Sequence, residues 1–388
     1  MTKILTSESL GIENKKTIIE LLRNEGPLSR ADISRHLSLS FPSVSNNVNY
    51  LIENKYIHEI GEGNNIMGRK STLLKLNAKR GYVIGIDLGR SYIRLKISDL
   101  LGNSLVTLSD KVEDKSDDKK IAKQLNNLVN KAIKKSGVNF NDIMCLGIGT
   151  PGVLNKKTNR IDLIPYTTGW SSINITEGLT EIFNCPVVIE NSVNLGAIAE
   201  MWRGCGTDYR NFIYLNYSIG IGSALILNRN LFTGSGAAGE IAYTAVSPEF
   251  ILEKYSDEGS LEQLISGKSI DMEIENSELG VSSLKELFSL DTPGAIRKRE
   301  EILTRIQKYL GVILINISSL INPEAIILSG GIGINVGRIL IPEWKKMMES
   351  NIPFIPDLVC SELGSEANVY GAVRFALENI EDFFCSWA

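Results

Sequence analysis

The sequence predicts an α/β protein: an N-terminal winged helix-turn-helix followed by two similar α/β lobes around a cleft. Three observations predict it. Three helical segments and a hairpin follow one another within residues 1–78, a strand-turn-strand pattern at Tyr82–Ser98 recurs at Asn211–Leu227, and Pro186–Glu200 passes from an apolar β-branched run through a polar cluster into an Ala-rich segment. The last pattern is a strand-to-helix connection, where open α/β sheets place ligand groups. The expected boundaries are 1–78 for the winged helix, 79–195 for the first lobe and 196–388 for the second.

Composition narrows the class. A chain of 388 residues with 43% hydrophobic content has ample material for two or three cores. Its first residues lack a positive region followed by an apolar one, and no apolar run is long enough to span a bilayer, so a cytoplasmic protein with no membrane partner is expected. The cysteines at 145, 185, 205, 360 and 385 stand singly, and His36 and His58 are the only histidines. Neither a disulfide framework nor a structural zinc site is expected from that spacing. The net charge of −4 argues against indiscriminate nucleic-acid binding by the whole chain but leaves room for a local site.

Within Asn14–Asn24 the stripe Ile18, Ile19, Leu21 and Leu22 predicts a helix that Gly26-Pro27 stops. Ser29 and Asp32 have capping-box spacing and open a second helix. A short turn at Ser38–Phe41 leads to Pro42, at a first helical position of a third helix ending near Asn54. Val44, Val48 and Leu51 face inward on it; Ser43, Ser45, Asn46, Asn47 and Asn49 lie on the other sides, with short polar side chains suited to base edges and phosphates. Ile57–Leu76 then reads as a β-wing with a Gly/Asn-rich tip. Order, spacing and the polar third helix point to double-stranded DNA. Ser43, Ser45, Asn46 and Asn47 are expected at bases, and Ser29, Arg30, Arg69 and Lys70 at phosphate or in a groove. A winged helix that docks a protein is the competing reading.

After Tyr82, two strands meet at a turn holding Asp87, Gly89 and Ser91, which can bring backbone N–H groups and a metal-binding carboxylate to phosphates; a plain hairpin has the same pattern. Ile121–Ser136 is an amphipathic helix with Leu125, Leu128 and Ile133 toward the core. A buried strand from Ile143 runs into the loop Gly149-Thr-Pro-Gly. In the central stretch, Glu190, Asn191, Ser192 and Asn194 can hold hydroxyls, and only Glu190 has a carboxylate able to remove a proton near neutrality. Asn191 or Ser192 as a helix N-cap explains the same composition without a ligand. Gly234–Glu240 is a small-residue loop ending in a carboxylate, and Glu262 follows in Gly-Ser-Leu-Glu. Helices over Ile302–Leu320 and Gly364–Leu377 flank a strand, Ala325–Ser329, that enters a glycine turn.

The order of Ile86-Asp-Leu-Gly-Arg-Ser, Gly147-Ile-Gly-Thr-Pro-Gly, Glu190-Asn-Ser-Val-Asn, Gly234-Ser-Gly-Ala-Ala-Gly-Glu-Ile and Ser329-Gly-Gly-Ile resembles the ROK family of repressors, open reading frames and sugar kinases over nearly the whole chain. The resemblance implies a two-lobed actin-like, hexokinase-type (ribonuclease H-like) ATPase fold. The N-terminal module points to the repressor branch, similar to xylose and N-acetylglucosamine repressors.

Departures from that pattern refine the expectation. The family's kinases carry a general-base Asp where this chain has Ser192, and losing general-base assistance costs roughly 10²–10⁴-fold. Arg90 occupies a glycine position of the first phosphate motif, where a side chain crowds the approach of phosphate, and Ser218-Ile219-Gly220 replaces Gly-Thr-Gly. The family's zinc-ligand positions read Tyr243, Glu253, Tyr255 and Ser260. Asn191, Glu240 and Glu262 remain as sugar contacts, with Ser192 and Tyr243 beside them. Asp87, Gly89, Ser91, Ser218 and Gly220 remain as degenerate phosphate motifs. The resemblance thus implies a sugar-responsive repressor, a homodimer or homotetramer on a palindromic operator, that binds a monosaccharide effector and has no catalytic residue, metal or cofactor. The rival is an ATP-dependent sugar kinase with an appended DNA-binding domain, in which Glu190 takes the place vacated at Ser192.

Overall fold

The computed structural model describes residues 7–63, 71–89, 91–113, 118–155, 160–162, 185–251, 256 and 258–380. Helix α1 (Ser7–Glu25), the short strand β1 (Leu28–Ser29), α2 (Arg30–Leu37), α3 (Phe41–Glu53) and the hairpin β2 (Ile57–Gly63) and β3 (Ser71–Leu76) form the winged helix. The capping box closes as its spacing requires, with Asp32 N–H donating to Ser29 Oγ at 3.2 Å and Ser29 N–H to Asp32 Oδ2 at 3.1 Å. Ser40 caps α3, whose first turn holds Pro42. β3 pairs antiparallel with both β1 and β2. The helical stripe residues Ile18, Ile19 and Leu22 are buried with Ile33, Val44, Val48 and Leu51 in one core.

The first lobe is built from β4 (Tyr82–Leu88), β5 (Tyr92–Asp99), β6 (Ser104–Lys111), α4 (Asp118–Ser136), β7 (Ile143–Thr150) and β10 (Val187–Asn191), with the small ribbon β8 (Val153–Asn155) and β9 (Arg160–Asp162). Its sheet has the order β10-β7-β4-β5-β6: an antiparallel meander extended by two parallel strands. After α5 (Ser192–Arg203), the second lobe repeats this with β11 (Phe212–Tyr217), β12 (Ile221–Leu227), β13 (Asn230–Phe232), β14 (Ala325–Ser329) and β15 (Asp357–Cys360), in the order β13-β12-β11-β14-β15. The recurring strand-turn-strand pattern is therefore the first hairpin of two equivalent sheets. Helices α6 (Ser260–Ile265), α7 (Gly267–Glu275), α8 (Leu284–Leu287), α9 (Pro293–Ile321) and α10 (Gly330–Glu349) complete the second lobe. No helix among the described residues is long and apolar enough to cross a membrane.

One boundary differs from the expectation. Helix α11 (Ala367–Asn379), assigned from the sequence to the second lobe, packs on the first. Val373, Ala376 and Leu377 share a core with Val83 and Cys145, and a Cβ added to Gly147 would lie 2.2 Å from the Ala372 carbonyl oxygen. The helix crosses α5 equally closely, since a Cβ on Gly371 would come within 1.8 Å of the Leu195 carbonyl oxygen. α5 in turn reaches the second sheet through Ala197, which packs with Phe212 and Tyr214. Glycine at these crossings removes the side chain that would hold the backbones apart.

The core around α11 also contains Ile18, Ile19 and Leu22, so the same helix docks the winged helix. Glu20 of α1 accepts hydrogen bonds from both Arg374 and Arg23, Arg374 Nε pairs with Glu378 at 2.9 Å, and Arg23 Nε donates to the Leu100 carbonyl at 2.9 Å. Burial opposes ionisation of Glu20, but the guanidinium groups of Arg23 and Arg374 outweigh it and hold its pKa below the ordinary value.

Candidate functional site

A cleft of about 450 Å³ opens between the two lobes, bordered by the β4–β5 and β11–β12 turns and by the start of α5. That volume is within the range of small-molecule sites. Asn191, Ser192, Glu240, Tyr243 and Glu262 all line it, and so do Asp87, Gly89, Ser91, Ser218 and Gly220. Residues separated by as much as 175 positions are brought together because equivalent turns of the two repeated sheets face one another.

At the β10–α5 junction the helix-cap reading holds. Asn191 Oδ1 accepts from the backbone of Val193 at 2.7 Å and of Asn194 at 3.3 Å, while its Nδ2 donates to the Gly152 carbonyl at 2.6 Å. The cap and the cleft wall are the same side chain. Ser192 Oγ donates to Asp87 Oδ1 at 3.2 Å; Asn368 Nδ2 approaches the same oxygen at 3.4 Å, and Arg94 Nη1 faces Oδ2 at 3.4 Å. Burial raises the pKa of Asp87, with Arg94, Ser192 and Asn368 working against that rise. Glu190 is not in the cleft lining: its Oε1 accepts from Asn191 N–H at 2.8 Å and from Asn194 Nδ2 at 2.9 Å. The carboxylate that the kinase reading required as a base is thus turned away and occupied.

Across the cleft, Glu262 is 5% exposed and its Oε1 accepts from Ile221 N–H at 3.0 Å. Burial, and then the Glu262 charge, push the pKa of Glu240 upward. Two carboxylates so placed offer acceptors to paired hydroxyls. The β11–β12 turn is pinned from below by Gly267 N–H on the Ser218 carbonyl (3.1 Å) and Lys268 N–H on the Ile219 carbonyl (3.0 Å). Of the four zinc-ligand positions, Tyr243 lines the cleft and Ser260 Oγ donates to the Thr244 carbonyl at 3.1 Å; Glu253 and Tyr255 lie outside the described residues, as does Arg90. A Glu258–Lys268 ion pair at 2.7 Å ties this segment to α7.

On the winged helix, Asn46 is exposed and Ser45 partly so. Ser43 is partly buried, its Oγ 3.4 Å from Asn14 Nδ2. Two of the expected DNA contacts are corrected. Asn47 is 8% exposed and donates to the Ser43 carbonyl at 2.8 Å, so it faces the helix interior rather than bases. Ser29 is 2% exposed and committed to the capping box. Arg30 is paired with Glu59 at 3.0 Å and reaches Asn49 at 3.3 Å. Arg69 and Lys70 lie outside the described residues.

The family model described as "ROK family" matches residues 83–379. The chain belongs to the ROK family. This ROK protein is similar to the xylose repressor of Bacillus spizizenii, with 30% identity over 95% of this chain and 96% of that one. A crystal structure of a ROK family transcriptional regulator, a homologue of the E. coli MLC protein, matches with a TM-score of 0.78 at 20% identity, over 97% of this chain and 98% of that one. A ROK hexokinase from Thermus thermophilus matches with a TM-score of 0.64 at 25% identity, over 78% of this chain and 99% of that one. The family model begins where β4 begins, and the regulator's match extends over the winged helix as well.

Three positions of this ROK protein were not singled out from the sequence. Arg94 faces Asp87 in the β4–β5 register, a pairing that the alternation of the hairpin carries. Asn368 reaches Asp87 across 281 positions, for which no local signal exists. Phe41, at the start of α3, is 54% exposed, although its spacing from Val44 and Val48 places it on the inward stripe, so periodicity alone does not mark it as exposed.

Proposed function

We propose that the protein is a sugar-responsive transcriptional repressor of carbohydrate-utilisation genes, acting in the cytoplasm as a homodimer or homotetramer on a palindromic operator. The observation that carries this reading is the reach of α11. At its first turn Asn368 touches Asp87 on the cleft wall, and further along Arg374 holds Glu20 of the winged helix. A ligand that rearranges the Asp87–Ser192–Asn368 contacts acts on the same helix that positions α1. The similarity to a xylose repressor across 95% of the chain supports the reading and makes a pentose the first effector to try.

The chemistry of each end agrees with it. Glu240, Glu262, Tyr243 and Ser192 offer hydroxyl partners, while the kinase base position is a serine whose proton is donated to Asp87. Residues 1–78 carry 10 Lys and Arg against 8 Asp and Glu in a chain of net charge −4, so charge favouring DNA is segregated into the winged helix. Two recognition helices in a dimer would stand about 34–36 Å apart on successive major grooves. Sugar-induced closure of the lobes would change that spacing, and a coupling of about 1–3 kcal/mol would change operator affinity roughly 5–150-fold.

Thermal melting against a monosaccharide panel, with and without ATP-Mg, tests the proposal. A sugar at 100 times its dissociation constant stabilises by about 2.7 kcal/mol, and the same sugar must alter binding to duplex DNA. Stabilisation by ATP, or product formation from ATP and sugar, would instead favour the kinase alternative, which similarity to a ROK hexokinase keeps in view.

A further inference from the structure

On helix α3, Val44, Asn47, Val48 and Leu51 are buried, Pro42, Asn46 and Asn49 are exposed on the opposite side, and Phe41, in register with Val44 and Val48, is exposed at the N-terminal end of the buried stripe. Phe41 is absent from the core that holds Val44, Val48 and Leu51, and 54% of its surface meets solvent. It occupies the first helical position after the Ser40 cap, and in helix-turn-helix proteins the N-terminal residues of the recognition helix meet base edges.

From Phe41 to Asn54 the sequence contains no Lys or Arg. The helix therefore lacks the side chains that read guanine O6 and N7 in bidentate fashion. It offers asparagine, which pairs with adenine N6 and N7, and one aromatic ring, for which the matching major-groove feature is the thymine methyl. Asn46 lies five residues beyond Phe41, about 7.5 Å along the helix, close to two base steps of about 3.4 Å.

We propose that Phe41 reads the C5-methyl group of a thymine in each operator half-site, about two base steps from an adenine read by Asn46. This rests on the DNA-binding reading above. The contact adds apolar complementarity to a polar face, and it fixes register on an A·T pair where asparagine alone would read only the adenine edge.

The test starts by selecting duplexes from a random pool with the full-length protein. Each thymine of the selected site is then replaced by deoxyuridine, which deletes the methyl group alone, and affinities are measured by fluorescence anisotropy at one salt concentration. In the parent protein one thymine per half-site should matter, its replacement weakening binding about fourfold, the worth of one buried methyl. Phe41→Ala should bind thymine and deoxyuridine equally at that position while keeping the parent's response elsewhere, and Phe41→Leu should keep part of the discrimination. Melting curves confirm that both variants fold. Enrichment of a sequence with no methyl discrimination in the parent, or discrimination that persists in Phe41→Ala, would overturn the proposal alone. Enrichment of no sequence would overturn the DNA-binding reading and this inference with it.

Discussion

Replacing Glu20 by alanine removes the acceptor shared by Arg23 and Arg374, whose side chains are 3% and 11% exposed. Alanine preserves the helix propensity of α1, so the loss reports the contact and not the helix. Removing one partner of a buried ion pair costs about 3–5 kcal/mol. Glu20 itself is 26% exposed, and both arginines retain acceptors, the Leu100 carbonyl and Glu378. The low end of that range, about 3 kcal/mol, is therefore expected, enough to raise the undocked population of the winged helix by about 10²-fold. Urea unfolding followed by circular dichroism should resolve an early transition that the parent lacks. Operator affinity measured with and without sugar should show a smaller ligand effect than in the parent. A single transition within about 0.5 kcal/mol of the parent, the scale of an ordinary surface substitution, together with an undiminished sugar effect, would refute α11 as the link.

Glu240→Gln should raise the melting temperature of the sugar-free protein at neutral pH and abolish the sugar-induced shift. The folded-state pKa of Glu240 is raised, first by burial and then by Glu262, so stability falls as pH rises through that value and the ionised carboxylate is a cost at neutrality; a lowered melting temperature or a retained shift would count against the site. For Glu20 the sign is opposite. Its pKa is lowered, so its contribution is complete above the ordinary value of 4.5 and disappears as pH falls through the folded-state value. Melting curves across that acid range should show a loss in the parent that Glu20→Gln lacks. On α3, Asn46→Ala should cost about 1–3 kcal/mol of operator binding with little change in melting. Asn47→Ala should destabilise the fold by about 1 kcal/mol and leave base preference unchanged, which competition with mutated duplexes will separate.

Much of the site was legible because its signals are local. The capping box at Ser29 and Asp32, the inward stripe of α3, and the strand-to-helix turn at Asn191 depend on residues within one helical turn or one strand end, so spacing alone specifies them. The paired strand-turn-strand patterns likewise announced two equivalent sheets around a cleft, whereas Glu240 and Glu262, which line it with Asp87 and Ser192, were reached only through the resemblance to the ROK family. Local pattern did not determine which polar groups are turned inward. Asn47 and Ser29 look like neighbours of exposed residues in the sequence, yet the Ser43 carbonyl and the α2 N-terminus claim their hydrogen bonds. The same limit applies to Glu190, whose carboxylate accepts from Asn194 Nδ2 and from Asn191 N–H and does not line the cleft.

What the sequence by itself determined is the series of elements and the chemical character of each face, because periodicity and capping act over a few residues. Only the tertiary structure decided that α11, numbered with the second lobe, packs on the first and joins Asn368 at the cleft to Arg374 at the winged helix. Such a contact is set by close backbone approach at Gly147 and Gly371. It depends on the packing of elements hundreds of residues apart, which no local pattern encodes.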